Sequence, residues 1–177
     1  WAQNNTLPGD EVVKWAGGTD LDLIANRMYA ATALYRLTGN STYHNQYISD
    51  VSTKGLTGST LLEADNKYHA WIYSLMTNRS KNPSTENVVE AAAIYTADYW
   101  MTFNVDKRAA RWAGNWYYPM LVGQATTPIV TEGVMGYAIV ENADPQKATV
   151  YKLFLSTTAD YFLGTNPLNM TWLSGMG

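Results

Sequence analysis

The sequence predicts an all-α protein made of helical hairpins, and three observations carry that prediction. Apolar residues recur at three- and four-residue spacing in six separate segments, the period that lays one face of a helix against a core. Alternating strand patterns are nearly absent, and "PMLVG", Pro119 to Gly123, is the one short candidate. Helix punctuation stands at segment ends, with Asp144-Pro145 at one start and Gly39 and Gly164 at two finishes.

The first helix is expected from Asp20 to Leu37. Leu21, Ile24, Met28, Ala31, Leu34 and Tyr35 form its stripe, Asp20 is its N-cap, and Gly39 takes the left-handed position after its end. A shorter helix follows from Tyr43 to Val51, with Tyr43, Tyr47 and Ile48 on one side. "STKGLTGST", residues 52–60, reads as a loop because glycine and hydroxyl residues dominate it. A third helix spans Leu61 to Met76. The fourth runs from Thr85 to Phe103 behind Pro83-Ser84, carrying Val88, Ala92, Tyr95, Tyr99 and Trp100. The fifth covers Ile129 to Val140. The sixth starts after Asp144, with Pro145 at the first helical position, where its missing N–H costs nothing. Val150, Phe154, Ala159, Phe162 and Leu163 carry it to Gly164. Six helices joined by loops imply three antiparallel pairs. No internal repeat marks a short-repeat solenoid.

A chain of 177 residues is read as one domain, residues 1–177, long enough to bury a core. Its net charge of −3 and pI of about 5.3 give no reason to expect nucleic acid. No apolar run reaches the roughly 20 residues that span a bilayer, so no membrane partner is expected. Cysteine is absent, which removes disulfides and thiolate metal sites. The first residues lack a secretory signal, and a start on Trp1 reads as processed or cut. The aromatic content is biased, with 7 Trp and 13 Tyr against 3 Phe. Trp and Tyr combine a flat apolar face with a polar edge, which suits sugar-binding surfaces and ordinary cores alike.

Most catalytic chemistries find no footing. Only His44 and His69 are available to a triad, and Gly-x-Ser-x-Gly does not occur. No phosphate-cradling glycine loop is present. Two histidines without cysteine make a poor zinc set. "WAGGTDLD" offers Asp20 and Asp22 beside glycines, either as oxygen donors for calcium or as a capped, charged helix start. Glycoside hydrolysis needs two carboxyl groups. Glu63 and Asp65 would sit on divergent sides of one helix, and Glu86 and Glu90 read as a solvated face. Glu132 lies in the apolar run "PIVTEGVMGYAIV" and reads either as a buried functional carboxyl or as a structural or surface residue. No complete active site emerges. "RWAGNWYYP" holds Trp112, Trp116, Tyr117 and Tyr118 beside Arg111 and Asn115, and reads equally as a sugar platform or as the plug of a bundle.

The C-terminal stretch "DYFLGTNPLNMTWLSGMG" resembles the late motif of family 9 of the glycoside hydrolases, approximately D-Y-x-L-G-x-N-P-x-x-x-S-Y-V-T-G-F-G. Asp160, Tyr161, Leu163, Gly164, Asn166, Pro167, Gly175 and Gly177 match, and Thr171, Trp172, Leu173, Ser174 and Met176 are mild substitutions. "NRMYAATALYRLTGNSTYHNQYIS" is similar to the family's W-A-A-A-E-L-Y-x-A-T-G-D-x-x-Y segment through Ala30, Ala31, Leu34, Tyr35, Thr38, Gly39 and Tyr43. "ADNKYHAWIYSLM" is similar to W-D-D-x-x-x-G-A-x-x-L-L, keeping Asp65 and Leu75, with Ala64 in place of the tryptophan. The three come in the family's order and cover most of the chain.

This resemblance implies a barrel of six helix pairs, an (α/α)6 toroid, of which the chain would supply about half, its partner being the missing N-terminal half. It implies hydrolysis of a β-linked glucan or related polysaccharide with inversion, in a secreted or periplasmic protein. The family's base is an Asp in an early D-A-G-D motif and its acid a late Glu; neither motif occurs here, so no catalytic residue is expected in this chain. Trp15 would match a ring lining the cleft, and Trp116 and Trp172 join it as expected sugar platforms. Many members hold a structural calcium with W-S-G-x-x-D-E and a later Asp. Asp20 and Asp65 are the corresponding positions, although the Ser and Glu of that motif are replaced. The family's W-G-S segment has no counterpart at Val122 to Thr126. The alternative is a helical carbohydrate-binding protein without hydrolytic activity. A third reading is a proteolysed or partly ordered remnant.

Overall fold

Gly39 ends one helix and Asn40 caps the next, and this two-residue link makes the first hairpin. The computed structural model describes residues 12–14, 20–64, 66–101, 130–165 and 169–171. These form β1 (Val12–Lys14), β2 (Asp20–Asp22), α1 (Leu23–Thr38), α2 (Ser41–Lys54), α3 (Gly58–Glu63), α4 (Tyr68–Ser74), α5 (Pro83–Trp100), α6 (Thr131–Val140) and α7 (Pro145–Leu163). The all-α class holds. Among the described residues the only exception is the β1–β2 ribbon, antiparallel with Val12 opposite Asp22 and Lys14 opposite Asp20.

The ribbon corrects the expected start of the first helix. Asp20 is a strand residue and not an N-cap, and the helix begins at Leu23. Asp20-Leu21-Asp22 alternates over three residues, a period that suits an extended pair better than a helix. The far end is as expected. Gly39 has φ +71°, a region that L side chains rarely enter, and its N–H closes on Tyr35 O at 2.8 Å.

Residues 52–60 are mostly helical, contrary to the loop expectation. α2 continues to Lys54, and Thr57 opens α3 with a capping box in which Thr57 and Thr60 bond each other's backbone N–H. Hydroxyl residues that look like loop formers here serve as caps. The expected third helix, 61–76, is two helices. Ala64 turns extended (φ −68°, ψ 138°), and Asn66 Oδ1 accepts the Tyr68 N–H at 3.2 Å, so a side chain takes over where the helical ladder stops. The strand candidate "PMLVG" lies outside the described residues. The ends of α7 agree with expectation: Asp144 accepts the Lys147 N–H at 3.0 Å, Pro145 opens the helix, and Gly164 (φ +128°) follows its last residue. Of its expected stripe, Phe154 is buried, while Val150, Ala159 and Leu163 are exposed.

The chain divides into two units, Trp1–Ala92 and Ala93–Gly177, the division falling within α5. In the first, α1 packs on α2 and on α4. Ile24, Ala25, Met28, Ala31 and Tyr35 of α1, Tyr47 and Val51 of α2, and Ala70 and Tyr73 of α4 are buried. Leu34, expected in that stripe, is exposed. In the second, α6 and α7 pair, with Ala97, Met135, Val140, Tyr151 and Phe154 buried.

α6 approaches its neighbours through glycine. A Cβ at Gly136 would stand 2.5 Å from the Ala97 Cβ and 3.0 Å from the Tyr151 ring, and one at Gly133 would overlap Phe154. Two glycines one turn apart therefore let α6 lie against α5 and α7 at close range.

Candidate functional site

Trp15, Trp116, Trp172 and Asp65 lie outside the described residues, as do Trp112, Arg111 and Asn115. Asp20 is described only as a backbone position of β2. Of the C-terminal motif, Asp160 and Leu163 are exposed at the end of α7, and the Asp160 carbonyl accepts N–H groups from both Gly164 and Thr165. That double acceptance turns the chain out of the helix at the motif's Leu-Gly.

Within the first unit, polar aromatic chemistry gathers along α1 and α4. Arg36, Trp71, Ile72 and Leu75 line a pocket of about 360 Å³. On the same two helices the exposed rings of Tyr29 and Tyr68 lie 6.3 Å apart, tilted at 58°. Asn66 donates to the Asn26 side chain at 3.2 Å. The local sequence explains the exposure. α4 buries His69, Ala70, Tyr73 and Ser74, so Tyr68, Trp71 and Leu75, which keep i, i+3, i+7 spacing, fall on the other side. Sequence reasoning missed Trp71 because a Tyr–Trp–Leu stripe at that spacing reads as a core face. An indole and a guanidinium in one concavity can stack on a sugar ring and donate to its hydroxyls.

The carboxyl groups are held in separate arrangements. Asp50, buried, accepts Arg27 Nε and Nη2 at 2.9 and 2.8 Å and Gln46 Nε2 at 2.9 Å. Asp98 accepts the Tyr151 hydroxyl at 2.7 Å and Lys147 Nζ at 2.6 Å; burial first, then that hydrogen bond, pushes the Tyr151 phenol far above its ordinary range. Glu132 is buried in α6, as its apolar surroundings in the sequence allow.

Glu86 and Glu90 do not form the solvated face expected of them. Both are half-buried, Glu86 is paired with Lys81, and burial followed by the neighbouring Glu86 charge raises the Glu90 carboxyl. Side chains one turn apart on α5 share a flank that Lys81 partly closes, which is why both lose water. Glu63 is exposed at the end of α3, and the helix meant to carry it together with Asp65 stops there. Among the described residues no three His, Asp or Glu side chains gather in a metal-holding group, and no helix is long and apolar enough to cross a membrane.

Compared with protein families, residues 17–177 match the model of glycosyl hydrolase family 9. No curated protein and no solved structure matches the chain.

Proposed function

The chain belongs to glycosyl hydrolase family 9, and we propose that residues 1–177 are part of the catalytic domain of an enzyme that hydrolyses a β-linked glucan or related polysaccharide. A carbohydrate substrate follows from the family itself. The observation that carries the finer reading is the C-terminal motif in register with the end of α7, where the chain leaves the helix at Gly164. The helical hairpins α1–α2 and α6–α7 are the pairs that an (α/α)6 wall needs.

Inverting hydrolysis takes an acid that protonates the leaving oxygen and a base that activates water on the opposite face. We assign neither to a residue of this chain. Its residues bind and orient: Trp15, Trp116 and Trp172 as stacking platforms, with Trp71 and Arg36 as a further sugar-compatible pocket. Asp20 and Asp65, hard oxygen donors suited to calcium, are the residues that would hold a structural ion. Action on an extracellular polysaccharide implies a secreted or periplasmic protein. The alternative, a helical carbohydrate-binding protein without hydrolysis, draws support from the Trp71 pocket, where none of the described lining residues carries a carboxyl group.

The test uses the whole protein that carries this chain, on a soluble β-glucan. Release of reducing ends, with the α-anomer first in the product NMR spectrum, is the expected outcome. Trp116→Ala and Trp172→Ala should each raise KM up to about tenfold, the scale of one lost ring contact near 1.4 kcal/mol. Calorimetric binding without hydrolysis would favour the alternative. Absence of both would sink the two readings together.

A further inference from the structure

The imidazole of His44 stands where three helices and a loop meet. Tyr35 of α1 lies flat on it, with ring centroids 4.3 Å apart and planes 5° from parallel. His44 Nε2 is 2.9 Å from the Tyr73 hydroxyl of α4. That hydroxyl also accepts the Asn82 backbone N–H at 2.8 Å, and the Tyr35 hydroxyl donates to Ser80 O at 2.7 Å. Residues 80–82, between α4 and α5, are thus tied to α1, α2 and α4 through one histidine and two tyrosines.

The bonds argue for one direction of the proton shared by Tyr73 and His44. Tyr73 is fully buried, and its oxygen already receives the Asn82 N–H. Its own proton needs an acceptor, and Nε2 of a neutral imidazole supplies one. That arrangement requires a neutral His44 with its proton on Nδ1. We propose that His44 is an acid-sensitive latch that holds the 80–82 segment onto the three helices and lets go when the ring takes up a second proton. Protonation turns Nε2 into a donor. Tyr73 oxygen would then face two donors, and its buried phenolic proton would lose its acceptor.

Burial disfavours the charged ring and holds His44 below the usual histidine range. The charged and titratable neighbours are engaged elsewhere. On α5, Glu86 pairs with Lys81, which also donates to Ser74 O at 2.7 Å, and Glu90 lies beside Glu86. The Glu86 charge acts on Tyr73, adding to the burial that raises that phenol. On α2, Asp50 is bonded to Arg27 of α1 and to Gln46, and Tyr47 meets His69 of α4 at 3.2 Å. Arg79 donates to Asn78 O and Leu37 O. Among the described residues no carboxylate is hydrogen-bonded to the His44 ring.

The sign follows from the depressed value. The unfolded chain takes up the histidine proton near 6.5 and the folded one only at lower pH, so the latch's contribution is complete above 6.5. It drains away as pH falls through the folded value.

The experiment pairs ¹⁵N-histidine NMR with thermal unfolding of the full chain and of His44→Gln. At pH 7.5 the His44 ring should show an unprotonated Nε2 and a protonated Nδ1. The melting gap between wild type and His44→Gln should shrink as pH drops from 7.5 to 5, a change the Glu86–Glu90 pair cannot produce because both proteins retain it. Protection of the Asn82 amide, corrected for intrinsic exchange, should fall roughly tenfold or more across the same range. A proton on Nε2 at pH 7.5 would overturn the proposal even if the variant fails to fold, and so would a pH-independent gap or constant Asn82 protection.

Discussion

Asp50 keeps its carboxylate inside the first unit because three donors surround it, two from Arg27 and one from Gln46. Replacing Arg27 with methionine keeps the apolar stem and removes the fork, leaving a buried carboxylate short of partners. The expected loss is about 3–5 kcal/mol in urea unfolding, the usual scale for breaking a buried pair from one side. Adding Asp50→Leu to Arg27→Met should recover much of it, because the stranded charge then disappears as well. A loss under about 0.5 kcal/mol for Arg27→Met would mean that water reaches Asp50. Nothing in the sequence pairs these two residues, since they stand 23 positions apart and periodicity speaks only to near neighbours. His44 was equally silent. Its partners are Tyr35 and Tyr73, and only the fold brings an aromatic from α1 and another from α4 onto one ring. Glu132 was half legible: the apolar residues around it are adjacent in sequence and allow its burial, but they leave a surface position open, and the structure buries it.

At the scale of elements, the two ends of α7 could be read, since Asp144, Pro145 and Gly164 act locally, but its buried face could not: Val150, Ala159 and Leu163 are exposed, while Ala148, Tyr151 and Phe154 are buried. The start of α1 could not, because the ribbon that claims Asp20 depends on Val12–Lys14 across a turn. The break between α3 and α4 was hidden for another reason. Leu61 to Met76 keeps a helical pattern of apolar residues, while α3 stops at Glu63, Ala64 is extended, and the Asn66 side chain accepts the Tyr68 N–H at the start of α4. α6 poses the sharpest packing question. Its sequence, TEGVMGYAIV, holds two glycines that should weaken a helix, yet both are buried against neighbours. Gly136→Ala gains up to about 1 kcal/mol of helix propensity. It also drives a methyl to 2.5 Å from the Ala97 Cβ, a contact with no flexible atom to give way. Overpacking of this kind costs about 1–3 kcal/mol, so net destabilisation is expected in denaturant unfolding. A more stable Gly136→Ala would show that α5 and α6 separate freely, and that the glycines serve something other than close approach.

For the whole molecule, family and fold class were legible together, because the order of motifs and the helical period are both written along the chain. The binding residues were not confirmed the same way. Trp15, Trp116 and Trp172 fall outside the described residues, and Trp71, which lines a pocket, was masked by a spacing typical of cores. Charge gives an independent handle on the partner. The chain carries 12 basic and 15 acidic residues, with charged residues only 15% of the total, while Trp and Tyr are abundant. A molecule of this composition that binds a neutral glucan does so through ring stacking and hydrogen bonds, neither of which releases counterions. Salt should therefore leave binding almost untouched. The affinity of the whole protein for a soluble β-linked gluco-oligosaccharide, measured by calorimetry, should change less than about twofold between about 50 and 500 mM sodium chloride. A partner held by several ion contacts behaves otherwise, its affinity falling clearly over the same range as salt screens those contacts. Arg36 sharpens the comparison, since among the described residues that line the Trp71 pocket it alone is charged. If it paired with an acidic sugar, Arg36→Gln would remove the salt dependence along with the affinity. If it donates to neutral hydroxyls, Arg36→Gln should weaken binding at that pocket by the same factor at both salt concentrations. A steep salt dependence in the unaltered protein would point to a charged polysaccharide and overturn the neutral-glucan reading.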